Sequence, residues 1–271
     1  MNETFDIRRL SKLVGYEVMN YIPRFFKSLL IFASVIVAVW IISLTVEVPI
    51  MPYDRSELVN SLFVLAITLS PFIVYKDMNN RKKGYIYAMM PASTLEKLLS
   101  MLVLCVVVVP LLSYAVLTAS DLLLCIFSKM GAGSFKGITF YNPFADSIAK
   151  VLYIEEGLSY SLPVFDGLLY IMCTVSYTIM FNTIFRKNKV MKTILFNVAM
   201  VFAFVILSLV VANMVSPEFW EELFEDIRPY FESMTAEEAL RWTCIAGRCT
   251  TALMTILFLT ITYFRIKKVN Y

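Results

Sequence analysis

Six long apolar runs, at roughly 28–48, 57–75, 98–120, 164–185, 193–214 and 244–264, decide what this chain can fold into. Each is near the ~20 residues that a helix needs to cross about 30 Å of hydrocarbon. Lipid offers no partners to backbone amides and carbonyls, so runs of this length can cross it only as helices. The expected fold is all-α: a polytopic membrane protein whose six-transmembrane-helix bundle occupies residues 28–271. Composition agrees, because 59% hydrophobic residues against 17% charged is more apolar than a soluble domain can cover. Spans and connections use nearly all of the 271 residues, so no separate catalytic domain is expected.

Residues 1–27 have a different texture. Leu10, Leu13, Val14, Val18, Tyr21 and Ile22 recur at helical spacing, with Arg8, Arg9, Lys12 and Glu17 between them. This predicts an N-terminal interfacial amphipathic helix lying on the cytoplasmic membrane face. Pro23 disfavours helix at Ile22 and is expected to make an elbow before the first span. The mixed character of this segment does not fit a cleaved signal peptide, so the first span is read as retained. Pro71 and Pro110 fall inside the second and third spans; each frees a carbonyl that a neighbouring helix is expected to satisfy.

The charges give the orientation. Segments 1–27, 76–97, 186–192 and 265–271 hold 17 of the 24 Lys and Arg, and 16 of the 21 acidic residues lie in the segments between. Every alternate connection is thus basic, which predicts both termini in the cytoplasm. Arg248 sits oddly in the first turns of the sixth span and is expected to snorkel at the outer interface. Asp166 reads as a boundary marker at the outer end of the fourth.

Two outer segments are long. Residues 121–163 read as loop, with Gly131, Gly133, Gly137 and Pro143. Residues 215–243 predict an acidic amphipathic helix, capped by Ser216 with Pro217 next and ended by Pro229. Thr235 and Glu238 then form a capping box that starts the helix into span six. Cys244 and Cys249 lie five positions apart on that helix, point in different directions and are read as packed free thiols.

The chain has no histidine, which removes the usual general base and the usual zinc and haem ligand. There is no phosphate-binding G-x-x-x-x-G-K-[ST] loop; residues 131–137 (GAGSFKG) lack its spacing. No acidic residue falls mid-span, where ion-coupled carriers keep one. An enzyme is not expected, no cofactor or metal is expected in this chain, and no nucleic acid is expected as a partner.

The most distinctive segment runs from Lys76 to Ser100. It is basic at Lys76, Arg81, Lys82 and Lys83, then aromatic and apolar at Tyr85, Ile86, Tyr87, Met89 and Met90, and ends in P-A-S-T-L-E-K at 91–97. Pro91 stops helix from upstream, so residues 85–90 are expected as a separate short element. Ser93 and Glu96 form an S-x-x-E capping box, so the third helix starts in the cytoplasm. By physics alone this is equally a plain turn with aromatic anchors or a docking surface.

The basic segment, the aromatic patch and M-P-A-S-T-L-E-K-L-L-S at 90–100 resemble the membrane-spanning permease subunits of ABC-2 type exporters, especially the small Bacteroidetes-type members. Where those carry leucine this chain has Met90. The layout is similar throughout, down to the short basic tail at 264–268. The resemblance implies that the N-terminal amphipathic helix is a connecting helix. It also implies that residues 76–92 dock on a separate ATPase, with Arg81, Lys82, Lys83, Tyr85, Tyr87, Pro91, Ser93, Glu96 and Lys97 as the candidate coupling residues. A second permease copy or paralogue would complete the transporter, and ATP would be bound by the partner subunit. The alternative is a non-transporting membrane scaffold or sensor whose acidic outer helix binds a partner.

Overall fold

The computed structural model describes residues 5–46, 52–78, 84–127, 164–214 and 235–268. Among these there is no strand, and six helices are long and apolar enough to cross a membrane. In chain order the elements are α1 (Ile7–Val46), α2 (Pro52–Val74), α3 (Gly84–Met89) and α4 (Thr94–Leu102). A π-helical segment (Val103–Val108) then leads into α5 (Val109–Phe127), followed by α6 (Val164–Ile184), α7 (Lys189–Met214) and α8 (Ala236–Lys268). Each of the six apolar runs lies in one of these stretches, the third in α4, the π segment and α5 together. The Lys- and Arg-rich segments meet at one side of the bundle, here termed the basic end. The acidic helix expected from Ser216 to Pro229 lies outside the described residues; of the loop expected at 121–163 only 121–127 are described, and they are not loop but the last turns of α5, whose apolar Leu122, Leu123 and Leu124 continue the helix.

The first difference from expectation is at Pro23. The helix does not end there: α1 is one helix of 40 residues, about 60 Å of helical rise, continuous through the proline. Proline removes one amide, the partner of the Met19 carbonyl, and Met19 is 80% exposed, on the side where solvent can take over. The opposite side of α1 supplies the compensation. Leu13, Phe25, Leu29, Ile36 and Trp40 are buried on one face, so packing on either side of Pro23 keeps the helix continuous. The amphipathic stripe of residues 7–27 therefore faces the bundle.

The other two prolines are accommodated locally. Pro71 cannot donate to the Ile67 carbonyl, and it is not a neighbouring helix that takes that carbonyl but the adjacent Ser70, whose hydroxyl donates to it at 2.8 Å. Ser70 is fully buried. Ser70→Ala therefore strands a buried carbonyl, with an expected loss of about 1–2 kcal/mol in detergent unfolding, while Ser70→Thr keeps the hydroxyl and most of the stability. A wild-type melting curve for Ser70→Ala would show that the proline kink is satisfied elsewhere. Upstream of Pro110 the helix widens, with the Val109 amide reaching back five residues to the Leu104 carbonyl. Such a π turn gives the proline ring room that a regular turn would deny it.

The core lies between α1, α2, the third helical run and α6, where Val59, Phe63, Ala66 and Ile67 meet Met101, Leu104, Cys105 and Val109, with Ile171, Val175 and Ile179. α6 packs most extensively on α8. A smaller aromatic cluster joins α6 to its neighbours: Tyr177 lies edge-on to Phe258 of α8, with centroids 5.2 Å apart, and Phe181 tilts against Phe196 of α7 at 5.1 Å. α7 is otherwise lightly attached, touching chiefly α6, and Ile194, Leu195, Phe202 and Phe204 point outward. The Thr235–Glu238 capping box is present, with the Thr235 amide donating to Glu238 Oε2 at 3.1 Å and the Glu238 amide to Thr235 Oγ1 at 3.4 Å. From it α8 runs unbroken to Lys268.

Candidate functional site

Three groups of polar side chains lie at the basic end, two of them joining α1 to the helices around it. The first group forms at the start of α4. Ser93, in extended backbone, accepts from the Glu96 amide at 3.2 Å, and Glu96 Oε2 accepts from the Ser93 amide at 2.7 Å, which is the expected capping box. Glu96 also reaches across the chain. Its Oε1 accepts from the Asp6 amide at 2.7 Å and pairs with Arg9 at 3.1 Å. One fully buried carboxylate thus caps α4 and anchors the beginning of α1.

The second group sits two turns further along α1. Glu17 is fully buried, and its Oε2 accepts from the Tyr75 hydroxyl at 2.7 Å and from the Ser100 hydroxyl. Arg24, further along, pairs with Asp77 at 3.0 Å. The third group closes the end of α2. Asn182 of α6 donates to the Pro71 carbonyl at 3.0 Å, and Lys189, the first residue of α7, donates to Asn182 Oδ1 at 2.7 Å and to the Lys76 carbonyl at 3.1 Å. A cation against the last carbonyls of α2 complements the negative end of that helix.

Against this frame the nine candidate coupling residues divide. Ser93 and Glu96 hold the cap. Lys97 is buried with its ammonium 5.5 Å from the centre of the Tyr87 ring, and Tyr87 is itself buried, edge-on to Tyr75. Their side chains fasten the turn from within. Pro91 is exposed, and its neighbours Met89 (77%) and Leu95 (44%) present apolar surface outward. Arg81, Lys82 and Lys83 lie outside the described residues, as does the side chain of Tyr85. The short element expected before Pro91 is α3.

Sequence reasoning missed Glu17, Asn182 and Lys189. A signal existed for the first: Leu13, Glu17, Tyr21, Phe25 and Leu29 follow one another at i+4, so Glu17 stands on the row that the core requires. It was instead assigned to the polar side of a surface helix. Nothing local marks Asn182 or Lys189, whose roles come from the end of α2 more than a hundred residues earlier.

A cavity of ≈ 720 Å³ opens between α2, α6 and the start of α7. Its lining is largely apolar, with Glu57, Asn60, Thr68, Tyr170 and Thr174 as polar points. Volume and lining suit an organic molecule with a mostly apolar body. At the opposite end of α6, Arg248 of α8 holds Asp166 with two hydrogen bonds, Nε to Oδ1 at 2.7 Å and an Nη to Oδ2 at 3.0 Å. Among the described residues, no three Cys, Asp or Glu side chains converge as a metal site, and Cys105, Cys173, Cys244 and Cys249 are free thiols. The arrangement can bind and transmit displacement between helices. Compared with known proteins, the chain matches no family model, no curated sequence and no solved structure.

Proposed function

We propose that the chain is the membrane-spanning permease subunit of an ATP-driven transporter of the ABC-2 type, an exporter that works with a separate ATPase. It lies in the bacterial inner membrane with both termini in the cytoplasm, the side on which the basic segments collect. The observation that carries this reading is the turn between α3 and α4. It is fastened from inside by Tyr87, Glu96 and Lys97, yet displays Met89, Pro91 and Leu95 outward. A rigid turn with an apolar tip suits a partner that pushes on it, since a soft one would absorb the displacement. Glu96 carries that displacement directly to α1, and Tyr75 carries it to α2, which lines the cavity. ATP binding and hydrolysis belong to the partner, and this chain alternates access to the cavity. A second permease copy and lipid cover the outward face of α7.

Tagged protein extracted in mild detergent is expected to bring down an ATPase. Met89→Asp with Leu95→Asp is expected to lower that recovery by tenfold or more while leaving the melting temperature of the isolated chain unchanged, because neither side chain is buried. Charge reversal at Arg81, Lys82 and Lys83 should abolish transport. The reading is lost if no ATPase accompanies the wild-type chain and the reversed triplet transports normally.

A further inference from the structure

Glu17 has no cationic partner among the described residues, and that determines what its carboxyl must be. Every side of it is occupied by groups that are neutral near physiological pH. Tyr75 approaches from the end of α2 and Ser100 from α4, each donating its hydroxyl. Tyr87 of α3 faces Tyr75 from behind. Of the cations on the helices packed here, Arg24 pairs with Asp77 and Lys97 lies over the Tyr87 ring. Glu17 Oε2 has two donors, while Oε1 is buried with no hydrogen-bond partner.

An ionised carboxylate here would be a net charge in an apolar interior with one oxygen bare. Burying such a charge costs far more than leaving one neutral hydroxyl unsatisfied. We propose that Glu17 is a proton-binding site: the N-terminal half of α1 docks on α2 and α4 with its carboxyl protonated, and releases that proton on undocking. The inference stands on the packing of these helices and does not require a transport role.

The sign follows from linkage. In the undocked state the carboxyl meets water and ionises in the ordinary carboxylate range, whereas the docked state keeps its proton. Docking therefore takes up one proton, and raising the pH from that range upward weakens it by about tenfold per pH unit until the docked carboxyl itself ionises. Low pH strengthens the docking of α1 at the basic end, and the weakening on raising pH is complete near neutrality.

Two measurements on the full chain in lipid nanodiscs test this. Infrared spectra at neutral pH should contain a protonated carboxylic acid C=O band that Glu17→Gln removes. Amide hydrogen exchange over residues 7–24, taken as the ratio of wild type to Glu17→Gln so that intrinsic exchange rates cancel, should show that protection ratio falling by up to tenfold per pH unit between about pH 5 and pH 7 and level above it. The proposal is overturned if the acid band is absent at neutral pH or unaffected by Glu17→Gln, or if the protection ratio is flat with pH. It is equally overturned if sodium or potassium ions abolish the band, because the cluster would then be a cation site built on a carboxylate. Should Glu17→Gln fail to fold, Tyr75→Phe keeps the carboxyl and deletes one donor. The acid band should then move to higher wavenumber, and an unmoved band overturns the assignment.

Discussion

Replacing Glu96 with alanine is expected to destabilise the folded chain by about 1–3 kcal/mol, and to loosen α1 and α4 together. The magnitude comes from what the carboxylate leaves behind. The Ser93 and Asp6 amides both donate to it at 2.7 Å; losing the helix cap at Ser93 costs about 0.5–2 kcal/mol, and the Asp6 amide, on an exposed residue, adds less because water can reach it. Arg9 adds little, since about a third of its side chain is exposed and its guanidinium rehydrates. Glu96→Gln separates these effects. Its single carbonyl oxygen can serve one of the two amides but not both, so about half the loss should return. Detergent unfolding gives the totals, and hydrogen exchange at the Asp6 and Ser93 amides shows whether both are released. An alanine variant within about 0.5 kcal/mol of wild type would mean that the cap is dispensable and that α1 is held by its apolar face alone.

That residue also marks how far the sequence could be read. The six helices were legible because hydropathy over 20 residues is a strong, local signal, and the Ser93–Glu96 cap was legible because its partners lie three positions apart. So were α3 and the start of α8, each announced by a proline or a cap. What failed was whatever depends on residues distant in the chain. The capping box foretold two of the hydrogen bonds at Glu96, but Asp6 and Arg9 lie some ninety positions away. Pro23 was read as an elbow because its local effect is to disfavour helix, whereas the burial of Phe25 and Leu29 beyond it decides the outcome. Ser70 shows the converse error: a neighbouring helix was expected to satisfy the carbonyl freed by Pro71, and a side chain one residue away does so. For the turn between α3 and α4, the segment was legible but its inward and outward faces were not. Tyr87 and Lys97 looked available to a partner and are buried, while Met89 and Leu95 are exposed.

The pairing of Asp166 with Arg248 belongs to the same class and yields the second large expected effect. Each residue was placed at the outer interface as a separate boundary charge, because nothing within 82 positions of sequence says that they meet. Together they clamp α6 to α8 through a two-point bridge. Arg248→Ala leaves a buried carboxylate without its main counterion, and the expected cost is about 3 kcal/mol, the lower end for a broken buried pair because about a third of the Arg248 side chain is exposed. Arg248→Lys should recover part of this, since an ammonium supplies charge but not the planar fork that meets both oxygens. Exchanging the two residues should recover less than the geometry suggests. Asp166 stands in the first turn of α6, where the helix favours an acid, so an arginine there meets the positive end of the helix as well as its new partner. A double-mutant cycle between Arg248→Ala and Asp166→Asn, read by detergent unfolding, should therefore give a coupling of about 1–3 kcal/mol. Additive losses would show that the two helices are held by the Tyr177–Phe258 contact and its neighbours, with the ion pair a passenger on that packing.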